Sequence, residues 1–368
     1  MTFKRLDGTT VSFSREVLPR ELSANGSVTL TVPLQVTVSL GEPMIIQPQG
    51  LATGAGAALR PVELRPAELP EAVAQFSIEA LASTEFRWSA ALSLALASKL
   101  AYSPPALVES TCQSWGLATC SFIEAAETQC FVASTPAVAL LSFRGTESVG
   151  DWLADLNMAH TRRPYGVVHR GFYHAFVDVQ VQIEQALRAL PGRRLIVTGH
   201  SLGGAVATIA AAEWLNTGAF DVASVYTYGQ PRVGSSAWQQ LLDSKLGDRF
   251  ARFVNDDDIV PRVPPGFAHA GKLYHFDADG DLENPLEATL PTSARRVVES
   301  IAGTSEPPPL TPAQFDQLRA ELLAARSAAR MEGIEGAMIA TPQLEGFFPS
   351  IPDHFLDNYI RKILLHVD

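Results

Sequence analysis

The sequence predicts an α/β fold: a mostly parallel central sheet with helices on both faces, preceded by a β-rich N-terminal extension. Two observations carry the core. Between residues 194 and 276 short β-branched runs alternate with helical runs, the order that a parallel sheet with crossover helices requires. One crossing, Gly199-His200-Ser201-Leu202-Gly203, passes from strand to helix through a corner rich in glycine. A third observation sets the extension apart: residues 28–40 alternate apolar and polar side chains as a half-buried strand does, with Pro33 marking an edge or a break.

In chain order, residues 1–75 form the extension, which reads as strands covering an edge of the core or as a small binding module. Its later part, over about 47–70, is the Pro- and Gly-rich connection to a second unit, residues 76–368. Residues 76–102 have a helical pattern that Ser103-Pro104-Pro105 ends. Residues 131–134 and 137–144 are two strands joined by a turn at Thr135-Pro136. Just past the second strand come Thr146 and a short amphipathic segment with Trp152, which on their own read as a capped turn beside a half-buried tryptophan. A helix over about 171–190 precedes the strand Leu195-Ile196-Val197 and the alanine-rich helix that starts after Ser201. Residues 222–229, 249–255 and 272–276 are further strands, and 238–246 a helix. A run over about 285–348, with a helix at 312–331 showing Phe315, Leu318, Leu322 and Leu323 on one face, is an insertion.

The glycine corner carries the chemistry. A serine on a sharp strand-to-helix turn needs small residues two before and two after it, and Gly199 and Gly203 supply them. The turn lifts Ser201 Oγ above the sheet, and the helix behind it offers the Leu202 N–H and a positive dipole end to a developing oxyanion. The bare pattern G-x-S-x-G arises by chance about 0.1 times in a chain of this length; the strand before it and the helix after it make it specific. Parallel sheets collect chemistry at the carboxyl ends of their strands, which singles out Asn255-Asp256-Asp257-Asp258-Ile259-Val260-Pro261 as the source of an acid. Asp258 is the aspartate whose apolar neighbours can bury it. Four histidines follow as candidate bases: His269 and His275 around the next strand, His354 at a loop-to-helix junction, and His366 in a frayed tail.

Composition bounds the rest. With a net charge of −11 the chain lacks the basic footprint of a nucleic-acid binder, so none is expected as a partner. No apolar run reaches the ~20 residues of a transmembrane helix. Asp277-Ala278-Asp279-Gly280-Asp281 invites a calcium reading, but an EF-hand loop would need Gly and Glu where Leu282 and Ala288 stand, so a hairpin turn and no metal are expected. Cys112, Cys120 and Cys130 fit no zinc spacing and read as reduced; with no signal-like apolar segment behind Lys4 and Arg5, the expectation is a cytoplasmic protein.

Taken together, Phe143-Arg144-Gly145-Thr146, Asp151-Trp152-Leu153-Ala154-Asp155-Leu156, Val168-His169-Arg170-Gly171-Phe172, the Gly199–Gly204 corner, Tyr228-Gly229-Gln230-Pro231-Arg232-Val233-Gly234, Asn255–Pro261 and Pro352-Asp353-His354 stand in one order. In that order they resemble the class 3 lipases, a family of α/β hydrolases that includes the filamentous-fungal triacylglycerol lipases. The likeness covers about residues 95–275 and 350–362, and leaves out the extension and the insertion. It implies an α/β-hydrolase fold and a triad of Ser201 as nucleophile, Asp258 as acid and His354 as base. It also implies an oxyanion hole at Leu202 and Thr146, which overturns the plain-turn reading of Thr146, and a lid around Trp152. The implied activity is serine-dependent carboxylic ester hydrolysis through an acyl-enzyme, on acylglycerols at a lipid–water interface, with no metal and no cofactor. The alternatives are a phospholipase A1, a short-chain or aryl esterase, and a lipid-binding protein without turnover.

Overall fold

The computed structural model describes residues 2–4, 10–12, 44–46, 62–64, 76–146, 148–282, 307–331 and 351–367. The chain divides into two units, Met1–Ala74 and Gln75–Asp368. In the first, β1 (Thr2–Lys4) pairs antiparallel with β2 (Thr10–Ser12), and β3 (Met44–Ile46) with β4 (Val62–Leu64). The strand expected over 28–40 lies outside the described residues.

The second unit begins with α1 (Ile78–Leu81), α2 (Trp88–Leu100) and α3 (Pro105–Ser114). The single helix expected over 76–102 is thus two, because Ser83 Oγ takes the N–H of Glu85 and offers the backbone a turn in place of the next helical bond. The antiparallel strands β5 (Thr119–Ala125), β6 (Thr128–Ser134) and β7 (Val138–Phe143) follow, then α4 (Val149–Asp155) and the hairpin β8 (His160–Arg163) and β9 (Gly166–His169). Next come α5 (Arg170–Arg188), β10 (Arg194–His200), α6 (Leu202–Thr217), β11 (Val222–Tyr228), α7 (Ser236–Leu246), β12 (Phe250–Asn255) and β13 (Lys272–Phe276). Helix α8 (Pro312–Met331) belongs to the insertion, and α9 (Leu356–Leu364) closes the chain.

Seven strands form one sheet in the order β13-β12-β11-β10-β7-β6-β5. From β7 to β13 all pairings are parallel, so Phe143, His200, Tyr228, Asn255 and Phe276 all lie at one edge. Both faces are covered, as strands buried throughout their length require. On one face lies α2: Ser142 Oγ bonds the carbonyl of Ala97, Ser98 Oγ meets Thr198 Oγ1 at 3.0 Å, and Tyr228 Oη bonds the carbonyl of Ala91. On the other, Leu141, Val197 and Val225 pack in one cluster with Phe172, Phe176 and Ile183 of α5, Val206 and Ile209 of α6, and Trp238 of α7. The α/β core is the one expected, and the strand-end corner described below makes it an α/β-hydrolase fold.

Two local expectations are decided by hydrogen bonds. Asp277 to Asp281 is a hairpin turn, with the Asp277 carboxylate accepting three successive backbone N–H groups and Phe276 bridging Leu282. His366 is not in a frayed tail: its ring stacks on Trp88 at 4.4 Å and its Nε2–H donates to the carbonyl of Gly280.

Candidate active site

Ser201 sits between β10 and α6 with φ +58° and ψ −132°, a left-handed region that a serine enters only where surrounding structure holds it. The neighbours explain the glycines. A Cβ on Gly199 would lie 2.4 Å from the carbonyl of Gly203, and one on Gly203 2.4 Å from the carbonyl oxygen of Phe143, so any larger residue forces strand and helix apart. Leu202 opens α6, so its N–H has no acceptor within the helix. The turn past β7 presses on the same corner: a Cβ on Gly145 would be 3.1 Å from Ser201 Cβ. The next residue along this turn is the half-buried Thr146.

Asp258 follows β12 and is fully buried. Its carboxylate accepts the N–H of Val260 at 2.9 Å, the Nδ1–H of His354 at 2.8 and 3.0 Å, and the hydroxyl of Tyr359 at 2.5 Å. His354 closes a 3₁₀ turn, Pro352–His354, and is fully buried as well. With Nδ1 spent on a carboxylate, the other ring nitrogen is the basic one. Neither His354 Nε2 nor Ser201 Oγ has a hydrogen-bond partner among the described residues. In a serine triad the hydroxyl donates to this nitrogen, a bond that is often long without substrate and tightens when substrate binds.

The other candidate bases are spent on backbone carbonyls. His269 Nε2 bonds Pro261, and His275 Nε2 bonds Asp256.

Three residues that the sequence reading passed over complete the arrangement. Tyr359, on α9, donates to Asp258 while its oxygen accepts the N–H of Asn255. His200 Nε2 lies 2.8 Å from the carbonyl oxygen of His354, so it carries the proton, and Nδ1 accepts from the Tyr102 hydroxyl at 2.9 Å. Burial and the neighbouring His354 ring push the His200 imidazole well below its ordinary value, which keeps it neutral. Gly229, at φ +56°, leaves no room for a side chain: a Cβ there would stand 2.8 Å from the His354 ring and 2.9 Å from Asp258 Oδ2. His200 and Gly229 stand in motifs that the sequence displays, but their roles here show only in the fold.

Helix α4 follows the turn of Gly145 and Thr146. Val149, Leu153 and Ala154 are buried, Asp151 and Asp155 face outward, and Trp152 is half-buried with its ring 6.3 Å from Phe172. Among the described residues no group of three His, Cys, Asp or Glu side chains is placed to hold a metal ion, and no helix is long and apolar enough to cross a membrane.

Residues 140–268 match the family Lipase (class 3). The chain is 35% identical over 174 residues to the secreted mono- and diacylglycerol lipase 1 of Fusarium solani, covering 44% of this chain and 50% of that one. To a lipase of Rhizomucor miehei it is 38% identical over 145 residues, 36% of this chain and 40% of the relative. Among solved structures, lipase II from Rhizopus niveus matches over 50% of this chain and 78% of its own, at 28% identity and a TM-score of 0.42. The chain spans about half the length of the curated relatives it matches. These relatives correct one expectation. The Fusarium solani and Penicillium camembertii lipases are secreted proteins and point to an extracellular location, against the cytoplasmic one read from cysteine count and the N-terminal residues. Neither of those features separates compartments: Cys112 and Cys130 are buried free thiols that pack as small apolar residues, a use open to proteins on either side of the cell membrane. The matched stretch runs from β7 through the serine corner to the loop after Asp258, and over it the chain is similar to the class 3 lipases.

Proposed function

We propose that this protein is a serine carboxylic ester hydrolase that acts on acylglycerols at a lipid surface outside the cell. The observations that support it most are the strained Ser201 corner and the buried His354–Asp258 pair at the same strand ends, where the Ser201 N–H bonds the Tyr228 carbonyl and a Cβ on the next residue, Gly229, would touch the His354 ring. In this reading His354 Nε2 takes the Ser201 proton as Oγ attacks the ester carbonyl. The backbone N–H groups of Leu202 and Thr146 receive the oxyanion, where each donor is worth roughly 10²–10³ in rate. His354 then passes its proton to the leaving alcohol, and water, deprotonated by the same nitrogen, releases the acid from the acyl-enzyme. Asp258 holds the imidazole in the tautomer this needs. Every group comes from the chain itself.

Helix α4 acts as the lid of this site: its apolar side faces down in water and turns outward against lipid, carrying Trp152 with it. The half-length match to mono- and diacylglycerol lipases supports acylglycerols over other esters. A fluorophosphonate probe tests the reaction class: wild type should label and Ser201→Ala should not, whereas no labelling of either would make the protein a lipid binder without turnover. A series of glycerides, phospholipids and aryl esters of rising chain length tests the substrate, and a preference for phospholipid would replace acylglycerol in this reading.

A further inference from the structure

The family likeness leaves the insertion unexplained, yet α8 packs directly on α4. Phe315, Leu318 and Leu322 recur at helical spacing and are buried in the same apolar cluster as Val149, Leu153 and Ala154. A seven-residue helix is too short to be stable by itself, so the position of α4 depends on what it lies against. Polar contacts sit around this seam. Arg319 Nε donates to the carbonyl of Ala154, one of the last carbonyls of α4, which its own helix cannot satisfy. The Arg326 guanidinium donates to both carboxylate oxygens of Asp155, at 3.0 and 3.2 Å, and lies 3.9 Å from Asp151. Two cations thus meet the negative end of the α4 dipole.

The other end of α8 is tied beside the catalytic acid. Arg262, in the turn after Asp258, accepts the N–H of Leu310 on its carbonyl and donates Nε to the carbonyl of Pro308, both at 3.0 Å. From Leu310 the helix runs to α4, so it links the Asp258 loop to the lid. Ser201, Asp258 and His354 are all without solvent exposure.

We infer that α8 is a latch on the lid: α4 opens the site by separating from α8, and that separation is favoured by a lipid surface and resisted by water. This rests on the reading of the protein as a hydrolase with α4 as its cover. Parting the two helices in water would uncover Phe315, Leu318 and Leu322 together with Val149 and Leu153, which the hydrophobic effect opposes. Against acyl chains the same surfaces find apolar partners, and the penalty falls away. The ion pairs are partly exposed and hold only weakly. The apolar seam therefore sets the resistance, and the arginines set the register.

Gly150 allows a reversible test, because a Cβ built there would lie 3.9 Å from Leu322 Cδ2. The double variant Gly150→Cys, Leu322→Cys is treated with oxidised glutathione, which accepts the two electrons as the two thiols lose their protons and join. Intact mass and peptide mapping identify the bridge. The oxidised protein should lose at least about tenfold in hydrolysis of a tributyrin emulsion and regain it when a thiol reductant cleaves the bridge. As a second variant, Arg326→Glu should raise turnover of dissolved p-nitrophenyl acetate by about two- to fivefold, since it sets a like charge against Asp155. A bridged enzyme as active on the emulsion as its reduced form would overturn the latch, as would failure of the bridge to form in a reduced variant that melts like wild type. The hydrolase reading fails separately: wild type would then turn over neither substrate, while the bridge would still report whether α4 is seated on α8.

Discussion

Replacing Asp258 by Asn tests the site at its most buried charge. Four hydrogen bonds end on this carboxylate. In the amide, one oxygen becomes an NH₂ group. The Val260 N–H is fixed in the backbone and needs an acceptor, so the remaining oxygen takes the Oδ1 position and the NH₂ takes the place of Oδ2. There it faces His354 Nδ1 across the shorter contact, 2.8 Å against 3.0 Å to Oδ1, which favours that nitrogen as acceptor and moves the imidazole proton to Nε2. A ring protonated at Nε2 cannot accept the Ser201 proton. A wrong-tautomer histidine of this kind costs a serine hydrolase about 10⁴ in turnover, equivalent to about 5 kcal/mol of barrier. Hydrolysis of a dissolved p-nitrophenyl ester near pH 8 measures it, with the melting temperature beside it. Asp256 and Asp257 are half-buried and exposed respectively, so Asp256→Asn and Asp257→Asn should each stay within about threefold of wild type. If Asp258→Asn kept more than a tenth of the activity, or if all three variants fell together, the tautomer argument would be wrong and the aspartates would act only as a diffuse negative field.

Three further outcomes follow from the same contacts. His200→Leu removes the donor to the His354 carbonyl and should lower kcat by about ten- to a hundredfold with little change in KM, while His200→Gln, whose amide reaches the same carbonyl, should restore most of it; equal loss in both variants would reduce His200 to packing. Asp353 is pushed up to about 6, first by burial and then by the charges of Asp256, Asp258 and Asp257. The folded protein therefore binds this proton more readily than the unfolded chain, and the associated stability, present below about pH 4, is lost as pH rises through about 6. Asp353→Asn should accordingly raise the melting temperature relative to wild type above pH 6 and not at pH 4, and a gain independent of pH would reject the assignment. Trp152→Ala should reduce hydrolysis of emulsified long-chain glycerides more than of dissolved short esters; a uniform loss with a large fall in melting temperature would make Trp152 a core residue and not part of a lid.

What the sequence disclosed and what it hid have physical causes. The serine corner is legible because steric demand falls on the chain itself: with 2.4 Å between a Gly199 Cβ and the Gly203 backbone, the residue types are dictated within five positions. Asp258 is nearly as plain, since a strand end and the apolar Ile259-Val260 beside it mark which of three aspartates is drawn inside. His354 is legible only by chain order and resemblance, because the partner that orients it is 96 residues away. Tyr359 and Tyr102 could not be found this way at all; each bonds a group 101 or 98 residues distant through a hydroxyl that any tyrosine carries. Among the elements, β8 and β9 went unread because His160, Arg162 and Arg163 break the apolar alternation that a strand at the surface of a larger sheet would show. The contact between α8 and α4 was hidden for the same reason as Tyr359, although the apolar face of α8 stood in the sequence.

The forces at the site and over it differ in kind, and that difference bears on how the protein works. His354 and Asp258 are held by buried bonds from Tyr359, Val260 and His200, short contacts that water and salt reach poorly. Such a pair is rigid before substrate arrives, as the proposed reaction requires of the groups that orient its base. The cover is held by an apolar seam and by arginine–carboxylate pairs open to solvent, which depend on the medium in contact with them. A change of surroundings from water to lipid therefore acts on the cover and leaves the geometry of the triad untouched. In the proposed reading turnover rises at a surface without any change in the chemical step, because what the surface alters is the fraction of molecules whose site is open.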